Sequence, residues 1–195
     1  MISVTSFSLV AARRFPSSML WACLTSKSER SKPLLMAIPK RNADPKNVAA
    51  GARTFLVTSS TANRRRILQS DRSARLFIRV LYDYRVQGKF RLHEFVVMAD
   101  HFHILITVDS GTTIERAVQL VKGGFSFRAG REFGMKPPIW QKGFSDRRIT
   151  GFDEFERVQS YIHKNPIKQQ LVRKAPQYPY SSAHGGLSLI LHPFP

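Results

Sequence analysis

The chain has 195 residues, of which 43% are hydrophobic, and its 31 Lys and Arg against 13 Asp and Glu give a formal net charge of +18. Such a balance favours a polyanionic partner, either nucleic acid or an anionic membrane, whereas the lack of any run of about 18 apolar residues argues against a membrane-spanning helix. The single cysteine, Cys23, excludes an internal disulfide and a cysteine-rich zinc module and fits a reducing compartment.

The first 50 residues differ in composition from the rest. They mix Ser, Arg, Pro and Ala without sustained periodicity, which predicts a disordered extension or translated sequence upstream of a true start at Met36. A secretion signal is disfavoured because Pro16 interrupts the apolar stretch after Arg13-Arg14, and a transit peptide is the other weaker alternative. Residues 51–182 are predicted to form one domain and residues 183–195 an irregular tail. From residue 51 to the end the net charge is still +12, with 23 basic and 11 acidic side chains.

Strand and helix patterns alternate along the predicted domain. Ser70 is a suitable cap for the first helix and Gly88 for its end, while Thr112 or Thr113 can cap the second helix. The predicted elements are, in chain order, a strand at 54–60, a basic turn at 63–66, a helix from 71 to about 87, strands at 91–98 and 100–108, a helix to about 133, a strand at 139–149, a helix from 153 and an irregular segment from 173. This β-α-β-β-α-β-α order predicts an α+β fold: a four-stranded antiparallel sheet with helices on one face.

The sequence His101-Phe102-His103 lies within the third predicted strand. Alternate residues of a strand project from the same face, so the two imidazoles would lie about 7 Å apart along the backbone and point the same way. Such a pair can offer two nitrogen ligands to one metal ion. The alternative is a pair of structural histidines in a strand.

Tyr161 and Asn165 are spaced four residues apart on the third predicted helix and would share one face. A tyrosine on an amphipathic helix is more often a packing residue than a nucleophile, but an amide oxygen beside it could reach a metal held by the histidine pair. Pro166 removes a helical hydrogen bond and disfavours helical geometry at Asn165, which predicts a kink at this point.

These four residues suggest one chemistry. A divalent cation held by His101, His103 and the amide oxygen of Asn165 could act as a Lewis acid on a phosphate. Tyr161 could then attack phosphorus and form a covalent phosphotyrosine, which stores the bond energy for rejoining. The sequence shows no base that would activate the phenol.

Basic side chains are spread over the domain and are candidates for phosphate contact, although each could equally be plain surface charge. The aromatic residues Phe125, Phe127, Trp140 and Phe144 interleave with them and could stack on unpaired bases, with core packing favoured for most. The candidate phosphate contacts are Arg64, Arg65, Arg66, Lys122, Arg128, Arg147, Arg148, Lys164 and Lys168.

Four segments resemble the REP-associated tyrosine transposases, which belong to the HUH single-tyrosine transposases of bacterial insertion sequences. The resemblance extends over about residues 51–182, in the same order. Its segments are GKFRLHEFVVMADHFH at 88–103, VKGGFSFR at 121–128, WQKGFSDRR at 140–148 and YIHKNP at 161–166. Two positions depart from the family pattern: Ala99 replaces a proline that often precedes the histidine pair, and Asn165 stands where related enzymes carry Gln or a similar third ligand.

The resemblance implies a ferredoxin-like, RRM-like sheet, a metal (Mg²⁺ or Mn²⁺) on His101 and His103, and Tyr161 as nucleophile. It implies cleavage of single-stranded DNA near imperfect hairpins, leaving a 5′-phosphotyrosine and a free 3′-OH. It further implies work as a monomer or homodimer in the cytoplasm, on the nucleoid, with no membrane partner. The main alternative is a domesticated, non-catalytic DNA- or RNA-binding protein on the same scaffold. A histidine-ligated structural zinc protein lacks a full set of four ligands.

Overall fold

The structure is a computed structural model, and it describes residues 51–185. The expectations for residues 1–50 and for 186–195 lie outside this range. The helices and strands are, in chain order, β1 Arg53–Ser60, α1 Asp71–Val86, β2 Arg91–Val97, β3 His101–Val108, α2 Ile114–Phe133, β4 Ser145–Ile149 and α3 Phe152–Lys168.

The four strands form one antiparallel sheet in the order β2-β3-β1-β4. The two central strands pair along their full length, from Ser60 opposite His101 to Arg53 opposite Val108. This order with β-α-β-β-α-β connectivity is the ferredoxin-like arrangement, to which α3 is added at the end. The predicted α+β class and the antiparallel hairpin of β2 and β3 are therefore confirmed.

The main core lies between one face of the sheet and the helices α1 and α2. Alternate strand residues such as Phe55, Val57, Phe102 and Ile104 project into it and are almost fully buried. The ring of Phe77 from α1 packs 4.7 Å from that of Phe102, measured between centroids. This face anchors β3 from behind, so that the side chains on its other face have a rigid base.

The third helix packs on the opposite face of the sheet, where Val158 and Ile162 meet Leu56, Val96 and Leu105. The expectation that all helices lie on one face is therefore wrong. The physical reason for packing on both faces is that β2 and β3 are buried at nearly every position rather than at alternate ones. A sheet that is apolar on both faces must be covered on both.

The fourth strand is shorter than predicted, because only Ser145–Ile149 pairs with β1. Trp140 instead forms an isolated bridge with Thr61, and its indole N–H donates to the carbonyl of Lys122. Gly143 has a positive φ of 74°, which breaks the extended run before β4 begins.

The segment after α3 is irregular, as expected, except for a short 3-10 helix at Ala175–Gln177 and a bridge between Ser181 and Val96 at the outer edge of β2. Among residues 51–185, no helix has both the length and the apolar character needed to cross a bilayer.

Candidate active site

The two histidines of β3 lie on the face of the sheet that α3 covers. Their ring centroids are 5.1 Å apart, with the rings almost perpendicular to each other. His103 is 5% exposed, and His101 is half-buried at the start of the strand. The alternation of β3 therefore brings both imidazoles to one place, as the sequence predicts.

Each histidine ring is held at its Nδ1 atom by one neighbour. The Nδ1 of His103 lies 2.7 Å from Oγ1 of Thr58, the residue opposite it on β1. The Nδ1 of His101 lies 2.6 Å from a carboxylate oxygen of Asp100. These bonds orient the rings and leave the two Nε2 atoms as the nitrogens that could bind a metal.

His103 is held in its neutral form. Burial, reinforced by electrostatic interactions with the neighbouring His101 and Arg64, lowers the pKa of His103 to about 3. An imidazole must be neutral to bind a metal through nitrogen. At neutral pH His103 therefore needs to lose no proton before it can act as a ligand.

Tyr161 lies directly beside this pair. Its ring centroid is 5.3 Å from that of His103, and the ammonium of Lys168 lies 5.2 Å from the tyrosine ring. The helix α3 continues through Pro166 to Lys168. The proline lies close to the end of the helix, and the backbone N–H of Gln169 still donates to the carbonyl of Asn165.

Asn165 is 6% exposed, and its Oδ1 has no hydrogen-bond partner among the described residues. A buried carbonyl oxygen without a partner is uncommon because it forgoes its bonds to water. One helical turn separates it from Tyr161. Within residues 51–185 no three His, Cys, Asp or Glu side chains form a metal-binding group.

A second polar cluster on this face is not predicted from the sequence. The carboxylate of Glu94, in β2, is 3% exposed and accepts hydrogen bonds from Gln159 and His163 of α3 and from Ser182. Burial raises the pKa of Glu94, but these hydrogen bonds outweigh burial and bring the pKa below its ordinary value. The register that brings these residues together could not be read from the sequence.

The candidate phosphate contacts divide between the two faces of the sheet. On the Tyr161 side, Arg64 lies 3.5 Å from Asp100, Arg147 lies opposite Leu56 in the β1–β4 pair, and Lys164 and Lys168 project from α3. On the other side, Arg128 forms an ion pair with Asp83. Lys122 also belongs to that side, and Arg148 lies opposite Phe55, whose side chain enters the main core.

Two of these candidates donate hydrogen bonds to backbone carbonyls. The guanidinium of Arg65 donates to the backbone carbonyls of Ala62 and Pro138, and the ammonium of Lys122 donates to the carbonyls of Gln141 and Gly143. Arg66 is exposed in the turn after β1. The sequence could not distinguish these two roles, because both use the same residue types.

The four aromatic candidates for base stacking also have different environments. Phe125 is fully buried in the main core, and Trp140 and Phe144 pack against that core. Phe127 alone of the four is mostly exposed, at 64%. Core packing therefore accounts for three of them, as the sequence favours.

Comparison with known proteins shows where the chain belongs. A REP-associated tyrosine transposase of Escherichia coli (strain K12) is 25% identical over 105 residues, which cover 53% of this chain and 61% of that protein. A relative from Haemophilus influenzae is 27% identical over 107 residues, covering 50% and 61%. The chain thus spans about 61% of the length of these curated relatives.

A solved structure of a REP-associated tyrosine transposase bound to a REP hairpin has the same fold. It superposes with a TM-score of 0.59 at 21% identity, covering 73% of this chain and 86% of that one. The family model described as IS200-like transposase matches residues 54–165, more than half of the chain and the whole span from β1 to Asn165. The chain therefore belongs to the IS200-like transposase family.

Proposed function

We propose that this protein is a divalent-metal-dependent transposase that nicks and rejoins single-stranded DNA next to hairpins, with Tyr161 as its nucleophile. One observation carries the proposal: the ring of Tyr161 lies 5.3 Å from that of His103, on the same face as His101. Membership of the IS200-like family supports it.

The metal site would consist of Nε2 of His101, Nε2 of His103 and Oδ1 of Asn165. The residues fit such a group, since both Nδ1 atoms already have partners and the amide oxygen is buried without one. Mg²⁺ and Mn²⁺ favour oxygen ligands such as the amide of Asn165 and would keep further positions for phosphate oxygens. When bound, the cation supplies Lewis-acid stabilisation of the negative charge on the phosphate.

Tyr161 would carry out the bond-making step. Its phenol oxygen, after losing its proton, attacks the scissile phosphorus while the bond from phosphorus to the 3′ oxygen breaks. The 3′ oxygen takes up a proton and leaves as a free 3′-OH, and the 5′ phosphate stays on the tyrosine. Attack by a 3′-OH on this phosphotyrosine reverses the step and rejoins DNA without ATP.

The DNA partner would be a single strand that carries a hairpin. The similar solved protein is described as bound to a REP hairpin, and in this chain the ammonium of Lys168 lies beside the ring of Tyr161. We place this activity on the nucleoid in the cytoplasm, carried out by a monomer or a homodimer.

The decisive experiment incubates the full chain with a labelled single-stranded oligonucleotide that carries a hairpin from the flanking genome, with and without Mg²⁺. The native protein should form a covalent adduct only when metal is present, and Tyr161→Phe should form none while its affinity stays within about twofold. Tyr84→Phe, a change on the opposite side of the sheet, is the control and should behave like the native protein.

Adduct formation by Tyr161→Phe would overturn the assignment of the nucleophile. Tight, salt-sensitive binding by the native protein without cleavage in the presence of Mg²⁺ would instead support the non-catalytic nucleic-acid-binding alternative.

A further inference from the structure

Glu94 is a buried carboxylate in the middle of β2, and it faces the helix that carries Tyr161. A register shift between Leu92 and Glu94 interrupts the pairing of β2 with β3. Such an irregularity re-aims side chains, and here it lets Glu94 lie opposite Leu105 on the α3 face. The register shift in the backbone therefore directs the carboxylate towards α3.

Three donors from two other parts of the chain converge on this carboxylate. The amide of Gln159 donates to Oε1 at 2.5 Å, and Nε2 of His163 donates to Oε2 at 2.7 Å. The hydroxyl of Ser182 also donates to Oε2. Hydrogen bonds to a charged, buried acceptor are stronger and more directional than ordinary ones.

The two helical donors flank Tyr161 in the sequence. Gln159 and His163 are four residues apart and share one side of α3, and Tyr161 lies between them on another side of the helix. Fixing both donors on one carboxylate fixes the rotation of the helix about its axis. That rotation determines whether the tyrosine ring faces His103.

Apolar packing alone gives α3 little support for this orientation. Among residues 51–185, Val158 and Ile162 are the fully buried side chains that α3 contributes to a core of seven residues, and Phe155 and Tyr161 of the same helix pack against it half-buried. The main core, on the other face of the sheet, contains 24 buried residues. A helix on so small an apolar contact can shift easily unless polar bonds hold it.

The segment 178–182, which follows α3, forms hydrogen bonds with β2 next to Glu94. The N–H of Val97 donates to the carbonyl of Tyr180, and the N–H of Ser182 donates to the carbonyl of Phe95. The hydroxyl of Ser182 also accepts from the N–H of Phe95. The carboxylate of Glu94 thus joins β2, α3 and the edge segment 178–182 in one cluster.

We propose that Glu94 is a positioning residue for Tyr161, which acts by locking α3 and the segment 178–182 onto β2. Its consequence for DNA cleavage rests on the proposed function, whereas the locking of α3 does not.

The test compares Glu94→Ala with Glu156→Ala, which removes an exposed carboxylate from α3 itself. In Glu94→Ala, hydrogen–deuterium exchange of amides in residues 160–168 and 178–182 should be at least about tenfold faster, while β1 and β3 stay native. Adduct formation with the hairpin oligonucleotide should slow by at least about tenfold, since small misplacements of reacting groups are costly. Binding affinity should stay within about twofold.

Glu94→Gln should recover part of both effects, because its amide oxygen can still accept a hydrogen bond. Native exchange in α3 of Glu94→Ala, or an adduct rate equal to that of Glu156→Ala, would overturn the proposal. If the native chain forms no adduct, the proposed function has failed, and the exchange rates still decide whether Glu94 holds α3.

If Glu94→Ala does not fold, two milder variants replace it. His163→Ala should speed exchange in α3, and Ser182→Ala should speed exchange in residues 178–182. Unchanged exchange in both variants would also overturn the proposal.

Discussion

The amide of Asn165 is an expensive group to bury without a partner. An unsatisfied buried acceptor costs about 1–3 kcal/mol in the free energy of unfolding, and Asn165 Oδ1 is such an acceptor among the described residues. A cost of this kind persists where the group serves a purpose other than stability. A cation bound by His101 and His103 would supply the missing partner.

We therefore expect Asn165→Leu to weaken metal binding without lowering the stability of the metal-free protein. Mn²⁺ affinity, measured by calorimetry, should fall about tenfold or more, which corresponds to about 1.4 kcal/mol. The free energy of unfolding of the metal-free protein should stay the same or rise, because the unpartnered oxygen is gone.

The control for this prediction is Gln169→Ala, which changes an exposed amide just after the same helix and should alter neither quantity. Unchanged Mn²⁺ affinity in Asn165→Leu would remove Asn165 from the set of ligands.

At the scale of single residues, the sequence predicts the candidate site residues but not the neighbours that orient them. His101, His103 and Tyr161 follow from strand alternation and from the family motifs. Thr58 and Glu94 do not, because their roles depend on strand register and on which face α3 covers. Register is a property of the whole sheet, and one residue of slip would reverse every side chain.

Among the elements, α1 and α2 approach each other closely at a glycine. A Cβ atom built on Gly124 would lie 2.8 Å from a ring carbon of Tyr84, whereas one built on the adjacent Gly123 would meet nothing within 4 Å. The two glycines have the same helical propensity and differ only in this contact. The close approach to Tyr84 therefore favours glycine at position 124, whereas position 123 has room for a larger side chain.

Substituting alanine at each position separates these roles. Gly123→Ala should raise the free energy of unfolding by about 0.5–1 kcal/mol, the usual gain of alanine over glycine inside a helix. Gly124→Ala should not raise the free energy of unfolding in this way, because the Tyr84 ring must move to admit the methyl group. Urea denaturation measures both, and equal stabilisation by the two substitutions would contradict the close approach.

The edge segment after α3 should make stability sensitive to alkali. Burial, together with the neighbouring Tyr180, raises the pKa of Tyr178 to about 12, and its hydroxyl donates to the carbonyl of Val97. An unfolded tyrosine ionises near pH 10, so the folded protein binds the extra proton between about pH 10 and 12. The stability that Tyr178 contributes is thus full below pH 10 and is lost as the pH rises towards 12.

Tyr178→Phe should abolish the part of the fall in unfolding free energy at alkaline pH that comes from Tyr178. We expect the native protein to lose about 1–2 kcal/mol more than the variant between pH 10 and 12, a value reduced because the side chain is partly exposed and screened. Chemical denaturation at each pH measures the difference, and parallel curves for the two proteins would contradict the prediction.

The sequence predicts the elements better than their arrangement. Caps at Ser70 and Thr113 and the strand pattern of β1 and β3 give boundaries that agree with the structure to within one or two residues. The length of β4 and the face of the sheet on which α3 packs differ between the sequence prediction and the structure, because both depend on contacts between distant segments.

The whole molecule carries a formal net charge of +18. The described basic side chains lie on both faces of the sheet: Lys164 and Lys168 on α3, and Arg128 on α2 in an ion pair with Asp83. Total charge favours association with any polyanion. A specific DNA path would use only the side chains along it.

The salt dependence of binding separates these two contributions. Each phosphate of a single strand that is neutralised adds about 0.7 to the slope of log affinity against log salt concentration. If DNA passes over the Tyr161 face, Lys164→Gln should lower the slope by about that amount, whereas Arg128→Gln should leave it unchanged. Titration of a fluorescent single-stranded oligonucleotide at several salt concentrations measures the slopes. Equal reductions in both variants would mean that the strand is held by overall charge and that no face is preferred.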